Sequence, residues 1–187
     1  MNQRELLLLR ERIRHSTAHV MADVVKRMYP NVKLAIGPPT EDGFYYDFLV
    51  EKPFNDEDIK NIEDKMNEVI AQDLKFEYFE YSRQEVLELN RSEPLKLEII
   101  AGIPDEEVIS TYRHGLFEDL CAGPHVESTG KIPAFKLLNV AGAYWRGDEG
   151  NVMLQRIYGT AFESEEALSV YLDMVQEAER RDHRKLG

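Results

Sequence analysis

The sequence predicts an α+β fold in which helices pack against an antiparallel sheet, and three observations support this class. Apolar residues recur at helical spacing early in the chain, whereas strand-like segments gather in its second half. Strands and helices do not alternate regularly, as a doubly wound parallel sheet would require. At 187 residues and 43% hydrophobic content, the chain is long enough to bury a core. We therefore expect one domain over residues 1–187, with a division into two lobes near 50–105 as the alternative.

Charge and cysteine content exclude several classes of protein. The formal net charge of −12 repels phosphate backbones, so we expect no general binding to DNA, although arginines near both ends leave room for a local basic patch. The longest apolar runs fall well short of the roughly 18 residues that a membrane span needs, and we expect no membrane partner. A single cysteine rules out an internal disulfide and suits a cytoplasmic protein.

The first helix is predicted over residues 4–29, with a break near Arg14 as an alternative, and Pro30 ends it. Its apolar residues fall on one face at helical spacing. His15 and His19 are one turn apart and fall on the opposite side of the helix from that face. We therefore expect this helix to line a cleft with both histidines, rather than to bury them in the core.

The central segments alternate between strands and short helices. A strand over 34–39 ends in a Gly-Pro-Pro turn and forms a hairpin-like unit with a strand over 44–48. Asn55 caps a helix that extends to about residue 72, and an aromatic strand follows over 75–81. Ser82 and Glu85 form a capping-box pattern for a helix to residue 90, and Pro94 lies in the first turn of a helix over 94–101.

The last third of the chain is predicted to be mainly β-structure. Alternating residues predict strands over 108–112, 116–120, 134–143 and 151–162. Ser164 caps a final helix, whose apolar stripe ends near residue 175 and whose basic end reaches residue 183.

Four side chains have the types and spacings of a tetrahedral zinc site: His15, His19, Cys121 and His125. The HxxxH pair does not match the metalloprotease signature, since Ser16 stands where that motif needs its catalytic glutamate. Without a metal, the four could form a polar pocket in which a histidine positions or deprotonates a water. A purely structural quartet is the third interpretation.

Nucleotide chemistry has no support in the sequence. Neither the GxxxxGK[ST] phosphate-binding loop nor a strand followed by GxGxxG is present. A reaction carried out by this chain is therefore expected to be a hydrolysis rather than an ATP-driven ligation.

Six ordered blocks of sequence carry a resemblance to a known family: RHSTAH, AIGPPTEDGFYYDF, DLCAGPHV, AGAYWRGD, LQRIYGTAF and RDHRKLG. Together they resemble the N-terminal editing domain of bacterial-type threonyl-tRNA synthetases. This module belongs to the second-additional-domain family, which also includes alanyl-tRNA editing proteins. The resemblance covers about residues 14–187.

The resemblance implies hydrolysis of seryl-tRNA(Thr), the product of mistaken serine attachment, to serine and free tRNA. Binding alone separates substrates that differ by one methyl group by about 1–3 kcal/mol, which is why a second sieve is needed. The implied partners are the serine-bearing acceptor end of tRNA(Thr) and a threonyl-tRNA synthetase catalytic domain, in cis or in trans.

The resemblance also implies roles for individual residues. The histidine and cysteine quartet would form the core of the site, with Asp119 and Tyr46 as walls and Tyr112 as a further lining residue. Lys96 would steady the oxyanion that develops as water attacks the ester carbonyl.

Two other functions stay open beside editing of seryl-tRNA(Thr). The alanyl branch of the family uses a comparable quartet as zinc ligands, so a zinc-dependent alanyl-type deacylase is the first alternative. The threonyl branch, indicated by the AGAYWRGD block, is expected to need no cofactor. The second alternative is a non-catalytic module that binds the tRNA acceptor end.

The ends of the chain lead to a further expectation. The chain begins 14 residues before His15 and ends at Gly187, so we expect it to lack the small ubiquitin-like and aminoacylation domains of the full synthetase. Residues 164–187 are then a helix leading towards an absent catalytic domain, and the chain is not expected to activate threonine with ATP. Both an excised fragment and a separate editing protein are compatible with this expectation.

Overall fold

The computed structural model describes residues 1–186 and confirms the predicted α+β class. Helix α1 occupies Gln3–Met28 without interruption, so the alternative of a break near Arg14 is wrong. Asn2 caps its start by accepting a hydrogen bond from the Glu5 amide, while the Glu5 side chain accepts one from the Asn2 amide.

Helix α1 is the central element of the molecule. From Ile13 to Val25 every residue except His15 is buried, whatever side of the helix it occupies. The expectation of one apolar stripe with the histidines opposite it is therefore wrong for this half of the helix. The reason is that strands, helices and the 121–126 turn surround it, so polar residues such as Ser16 and Thr17 are buried and hydrogen-bonded to backbone.

The other elements agree with the predicted types. In chain order they are β1 (Lys33–Leu34), β2 (Phe44–Leu49), α2 (Asp56–Ala71), β3 (Glu77–Tyr81), α3 (Arg83–Leu89), α4 (Pro94–Ala101), β4 (Ile109–His114), β5 (Phe117–Leu120), β6 (Ala134–Tyr144), β7 (Met153–Phe162) and α5 (Glu165–Leu186). The first predicted strand is shorter than expected, and residues 35–39 continue as an irregular segment.

The strands form two antiparallel sheets rather than one. A four-stranded sheet has the order β1-β2-β7-β6, and a three-stranded sheet has the order β3-β4-β5. The predicted hairpin-like unit is present, because β1 pairs antiparallel with β2. Helix α1 packs against β2, β7 and α2, and its buried residues join those of the four-stranded sheet in the main core.

Helix α5 lies at the edge of the fold. Leu168 is buried against Ala134 and Phe162, whereas the basic end of the helix is exposed, as the sequence predicted. Among the described residues, none of the helices combines the length and apolar character needed to cross a membrane.

Candidate active site

A cavity of about 300 Å³ lies where α1, the end of β5, α4 and the loop after β1 meet. Its volume is at the small end of the range for ligand sites, roughly 300–1,000 Å³. The predicted site residues that line it are His15, His19, Tyr46, Lys96, Asp119 and Cys121. Gly37 brings the loop backbone against this wall, since a β-carbon there would lie 2.1 Å from the Tyr46 ring.

Asp119 is the centre of a buried charged network on one side of the cavity. Its carboxylate is 2.8 Å from the Lys96 ammonium and accepts a 2.7 Å hydrogen bond from the Tyr46 hydroxyl. The Leu120 amide donates to it as well. Burial raises the pKa of Tyr46 well above its usual value, so the phenol stays protonated and remains a donor. Lys96 has two further N–H groups that this pair leaves available.

On the opposite side, His15, Cys121 and His125 form a compact cluster. The Cys121 sulfur is 3.2 Å from His15 Nε2 and 3.1 Å from His125 Nε2. The two imidazole rings stack with centroids 4.5 Å apart. Tyr112 packs edge-on against His125 at 4.5 Å, so Tyr112 and His125 lie behind the cavity wall rather than in it.

The hydrogen bonds of Ser16 determine the protonation of this cluster. Ser16 donates its hydroxyl proton to the Arg12 carbonyl, so its oxygen accepts from the Val126 amide and from His125 Nδ1. His125 is therefore protonated on Nδ1 and presents an unprotonated Nε2 to Cys121. Burial raises the pKa of the Cys121 thiol to about 12 and lowers the pKa of His125, so the pair is a neutral thiol beside a neutral imidazole.

His19 does not join this cluster, although the sequence placed it in the quartet. Its Nδ1 is 2.8 Å from His114 Nδ1, and its Nε2 donates to the Tyr112 carbonyl at 3.1 Å. Its side chain borders the cavity but is only 4% exposed. Both nitrogens thus have protein partners, and His19 is not among the three side chains whose ligand atoms lie together.

The remaining three side chains fit a zinc ion of the catalytic type. Two imidazole nitrogens and one sulfur, from His15, His125 and Cys121, lie within 4.8 Å of one another. Three protein ligands with an open fourth position are typical of catalytic zinc, and the Ser16 contact to His125 Nδ1 resembles an outer-shell orienting bond. When bound, zinc would act there as a Lewis acid.

Sequence analysis missed three residues that organise the site: Ser16, His114 and Asp23. His114 is buried, and it joins His19 to the Asp23 carboxylate. A signal for Asp23 was available, because His15, His19 and Asp23 recur every four residues and so share one face of α1. No comparable spacing pointed to His114, which comes from a strand distant in sequence.

The chain is similar in sequence to known proteins over most of its length. Residues 109–158, which include β4, β5 and the Cys121 turn, match the family described as threonyl and alanyl tRNA synthetase second additional domain. The threonine-tRNA ligase of Acetivibrio thermocellus is 56% identical over 180 residues, which cover 95% of this chain and 28% of that relative. Over 95% of its length this chain is similar to a threonine-tRNA ligase, and residues 109–158 match the second additional domain of that family.

Further threonine-tRNA ligases show the same similarity to this chain. The threonine-tRNA ligase of Clostridium tetani is 55% identical over 180 residues, covering 95% of this chain and 28% of the relative. That of Desulforamulus reducens is 54% identical over 176 residues, covering 93% and 28%. The predicted resemblance to threonyl-tRNA synthetases is therefore confirmed. The chain spans 28% of the length of these relatives.

Proposed function

We propose that this chain is an editing unit that hydrolyses the ester of seryl-tRNA(Thr). The observation that carries the proposal is the cavity, which brings a half-buried histidine and a buried lysine to one small space. In this reaction a bond forms between the water oxygen and the ester carbonyl carbon. The bond to the terminal ribose oxygen breaks, and a proton passes to that oxygen, leaving serine and tRNA.

His15 is the histidine best suited to position the attacking water. His125 does not line the cavity, and His19 is almost completely buried and hydrogen-bonded through both ring nitrogens, so neither ring is open to substrate. His15 borders the cavity and is less buried than His19. Burial outweighs a hydrogen bond to the Pro124 backbone and lowers its pKa, so the imidazole is neutral and can accept a proton at neutral pH.

Lys96 is placed to stabilise the oxyanion that forms as water attacks. Its ammonium is held by Asp119, so its position is set before substrate arrives, and its two other N–H groups are free to donate. Tyr46 holds the second carboxylate oxygen, which keeps Asp119 from rotating away from the lysine. Such a preorganised charge in a buried position is worth more than the same charge in water.

The substrate and partners follow from the same proposal. A pocket of this size admits serine, and rejection of the additional methyl of threonine would protect the correct product. We propose that residues 1–187 act as one editing unit on the acceptor end of tRNA(Thr) in the cytoplasm. A threonyl-tRNA synthetase catalytic domain, in cis or in trans, would supply the mischarged tRNA.

The His15, Cys121 and His125 cluster favours one second candidate, a zinc-dependent alanyl-type deacylase. The two functions differ in their need for metal. After treatment with a chelator, an editing unit of the threonyl type retains its deacylation rate at low metal content. Loss of activity with the metal and its recovery on addition of zinc would favour the second candidate.

The proposal is tested by incubating the chain separately with seryl-, threonyl- and alanyl-tRNA and following release of the amino acid. Selective release of serine is the expected result. Release of alanine in preference to serine would support the alanyl-type enzyme. Binding of tRNA without hydrolysis of any of the three would indicate a non-catalytic acceptor-end module.

Replacement of His15 by alanine tests its role in the same assay. We expect His15→Ala to lower kcat for seryl-tRNA(Thr) by about a hundredfold, since a positioned acid or base typically contributes that much or more. His183→Ala is a matched control, because this histidine is exposed on α5, and its rate should equal that of the unchanged protein. If thermal unfolding shows that His15→Ala loses fold and activity together, the histidine is structural.

A further inference from the structure

A chain of hydrogen bonds connects the candidate site with Asp23, one turn further along α1. Asp23 Oδ2 is 2.8 Å from His114 Nε2, and His114 Nδ1 is 2.8 Å from His19 Nδ1. His19 Nε2 then reaches the Tyr112 carbonyl oxygen at 3.1 Å. The chain therefore joins α1 to β4 through side chains that are almost completely buried.

The protons shared along this hydrogen-bond chain can be counted from its two ends. The Tyr112 carbonyl only accepts, so His19 Nε2 carries a proton. At the other end, the Asp23 carboxylate accepts from His114 Nε2, and one more proton lies between the two Nδ1 atoms. Three protons on four nitrogens make one positive charge, and the Asp23 carboxylate beside it also pairs with Arg27. With the shared proton on His114 Nδ1, His19 is the Nε2–H tautomer.

The Tyr112 end of this hydrogen-bond chain affects the geometry of the candidate site. The Tyr112 ring packs edge-on against His125, 4.5 Å between centroids, and its hydroxyl approaches Gly123 in the turn that carries Cys121. A shift of Tyr112 would thus move both the His125 ring and the Cys121 turn. Phe76 and Phe117 pack against the rings of His19 and His114 and restrict their movement.

We propose that His114 and Asp23 are positioning residues of the active site. They hold His19 in one tautomer, and His19 in turn anchors Tyr112. Through Tyr112 they hold the cluster of His15, Cys121 and His125 in place. Neither residue touches the substrate. The proposal rests on the proposed function, because it explains how the editing cavity keeps its geometry. It also explains why His15, which is not part of this hydrogen-bond chain, is the histidine left to act on water.

A second cavity makes the proposal testable by chemical rescue. It has a volume of about 640 Å³ and is lined by Asp23 and His114 together with Gln72, Leu89 and Glu93. This second cavity lies at the Asp23 end of the hydrogen-bond chain, whereas His19 borders the smaller editing cavity. An imidazole molecule can therefore enter from the second cavity and replace a deleted His114 ring without blocking the substrate.

The experiment compares His114→Ala, Asp23→Asn and the control Gln72→Ala in the deacylation assay. Gln72 lines the same cavity but lies on an exposed surface. We expect His114→Ala to lower kcat at least tenfold while KM changes less than twofold, and added imidazole to restore most of the loss with saturation. Asp23→Asn keeps an acceptor for His114 and should lose about threefold, and Gln72→Ala should match the unchanged protein.

Two results would overturn the proposal. One is a folded His114→Ala protein with unchanged kcat, and the other is a loss of kcat that imidazole does not restore in the folded variant. Nitrogen-15 NMR of the histidine rings separates this proposal from the proposed function, since it needs no activity. An Nε2–H tautomer of His19 that is lost in His114→Ala supports the positioning role even if the unchanged protein hydrolyses no tRNA. Persistence of that tautomer in the variant would contradict it.

Discussion

At the scale of single residues, the state of Cys121 decides what chemistry the site can perform. A thiolate would be a nucleophile, but this sulfur is partly buried and contacts a neutral imidazole on each side. Burial raises its pKa to about 12, the opposite of the shift found in catalytic cysteines beside a cationic histidine. The chain therefore favours attack by water over a covalent intermediate on sulfur.

The rate of alkylation of Cys121 measures this state directly. For a thiol of pKa about 12, the rate with iodoacetamide should rise about tenfold per pH unit from pH 7.5 to 9.5, because only the thiolate reacts. An ordinary thiol, with a pKa of about 8.5, levels off over the same range. The measurement uses metal-free protein in a chelator, and the same chain in denaturant is the control. A rate in the folded protein that levels off by about pH 9.5 would show an unperturbed thiol.

At the scale of elements, the turn after β5 sets the distance between the two sides of the site. Gly123 has φ +79°, a left-handed conformation that side chains rarely adopt, and its amide donates to the Cys121 sulfur at 3.3 Å. A β-carbon at this position would lie 2.6 Å from the Tyr112 hydroxyl. The turn is thus compatible with glycine only, for two separate reasons.

Replacing Gly123 and Gly147 by alanine in separate variants distinguishes backbone strain from the contact with Tyr112. Gly147 also has a left-handed φ, +68°, but a β-carbon there meets nothing within 4 Å. Gly147→Ala should cost about 1 kcal/mol of unfolding free energy, from backbone strain alone. Gly123→Ala should cost about 2–3 kcal/mol and also lower deacylation, since Tyr112 must move. Equal values for the two variants in urea unfolding would mean that the Tyr112 contact contributes nothing.

At the scale of the whole molecule, Arg14 connects α1 with the four-stranded sheet and the loop after β1. Its guanidinium donates to the Ala161 carbonyl at 2.9 Å and to the Glu41 carbonyl at 2.8 Å, and it lies over the Phe162 ring. The side chain is 4% exposed, and burial lowers its pKa from the ordinary value. A basic residue that the sequence suggested for a surface patch is therefore part of the internal structure.

Alanine at Arg14 is expected to destabilise the fold much more than alanine at Arg12, its exposed neighbour on the same helix. Arg14→Ala leaves two carbonyl groups without their donor and opens a cavity beside Phe162, at a cost of about 3 kcal/mol. Arg12→Ala should change stability by less than about 0.5 kcal/mol. Chemical denaturation monitored by circular dichroism measures both, and similar values would show that Arg14 is not a structural residue.

Local signals were sufficient for the elements. Helix α2 begins after Asn55 and α3 after Ser82 because those side chains accept a hydrogen bond from an amide in the first turn, a rule that operates within four residues. Partition of the strands into two sheets could not be predicted in the same way. It depends on which strands pair across long separations, such as β2 with β7, and alternation along one strand carries no information about its partner.

The candidate site also has features that local sequence signals predict and features that depend on long-range contacts. The sequence by itself determined the element types, the α+β class and the family resemblance, because spacing within a segment and ordered motifs are local properties. The resemblance also named several side chains that line or back the cavity. Only the tertiary structure decided that His15, Cys121 and His125 converge while His19 turns to His114, and that Lys96 pairs with Asp119. Hydrogen bonds between residues far apart in sequence decide where a ring nitrogen points, and such bonds exist only after the sheets and α1 have packed.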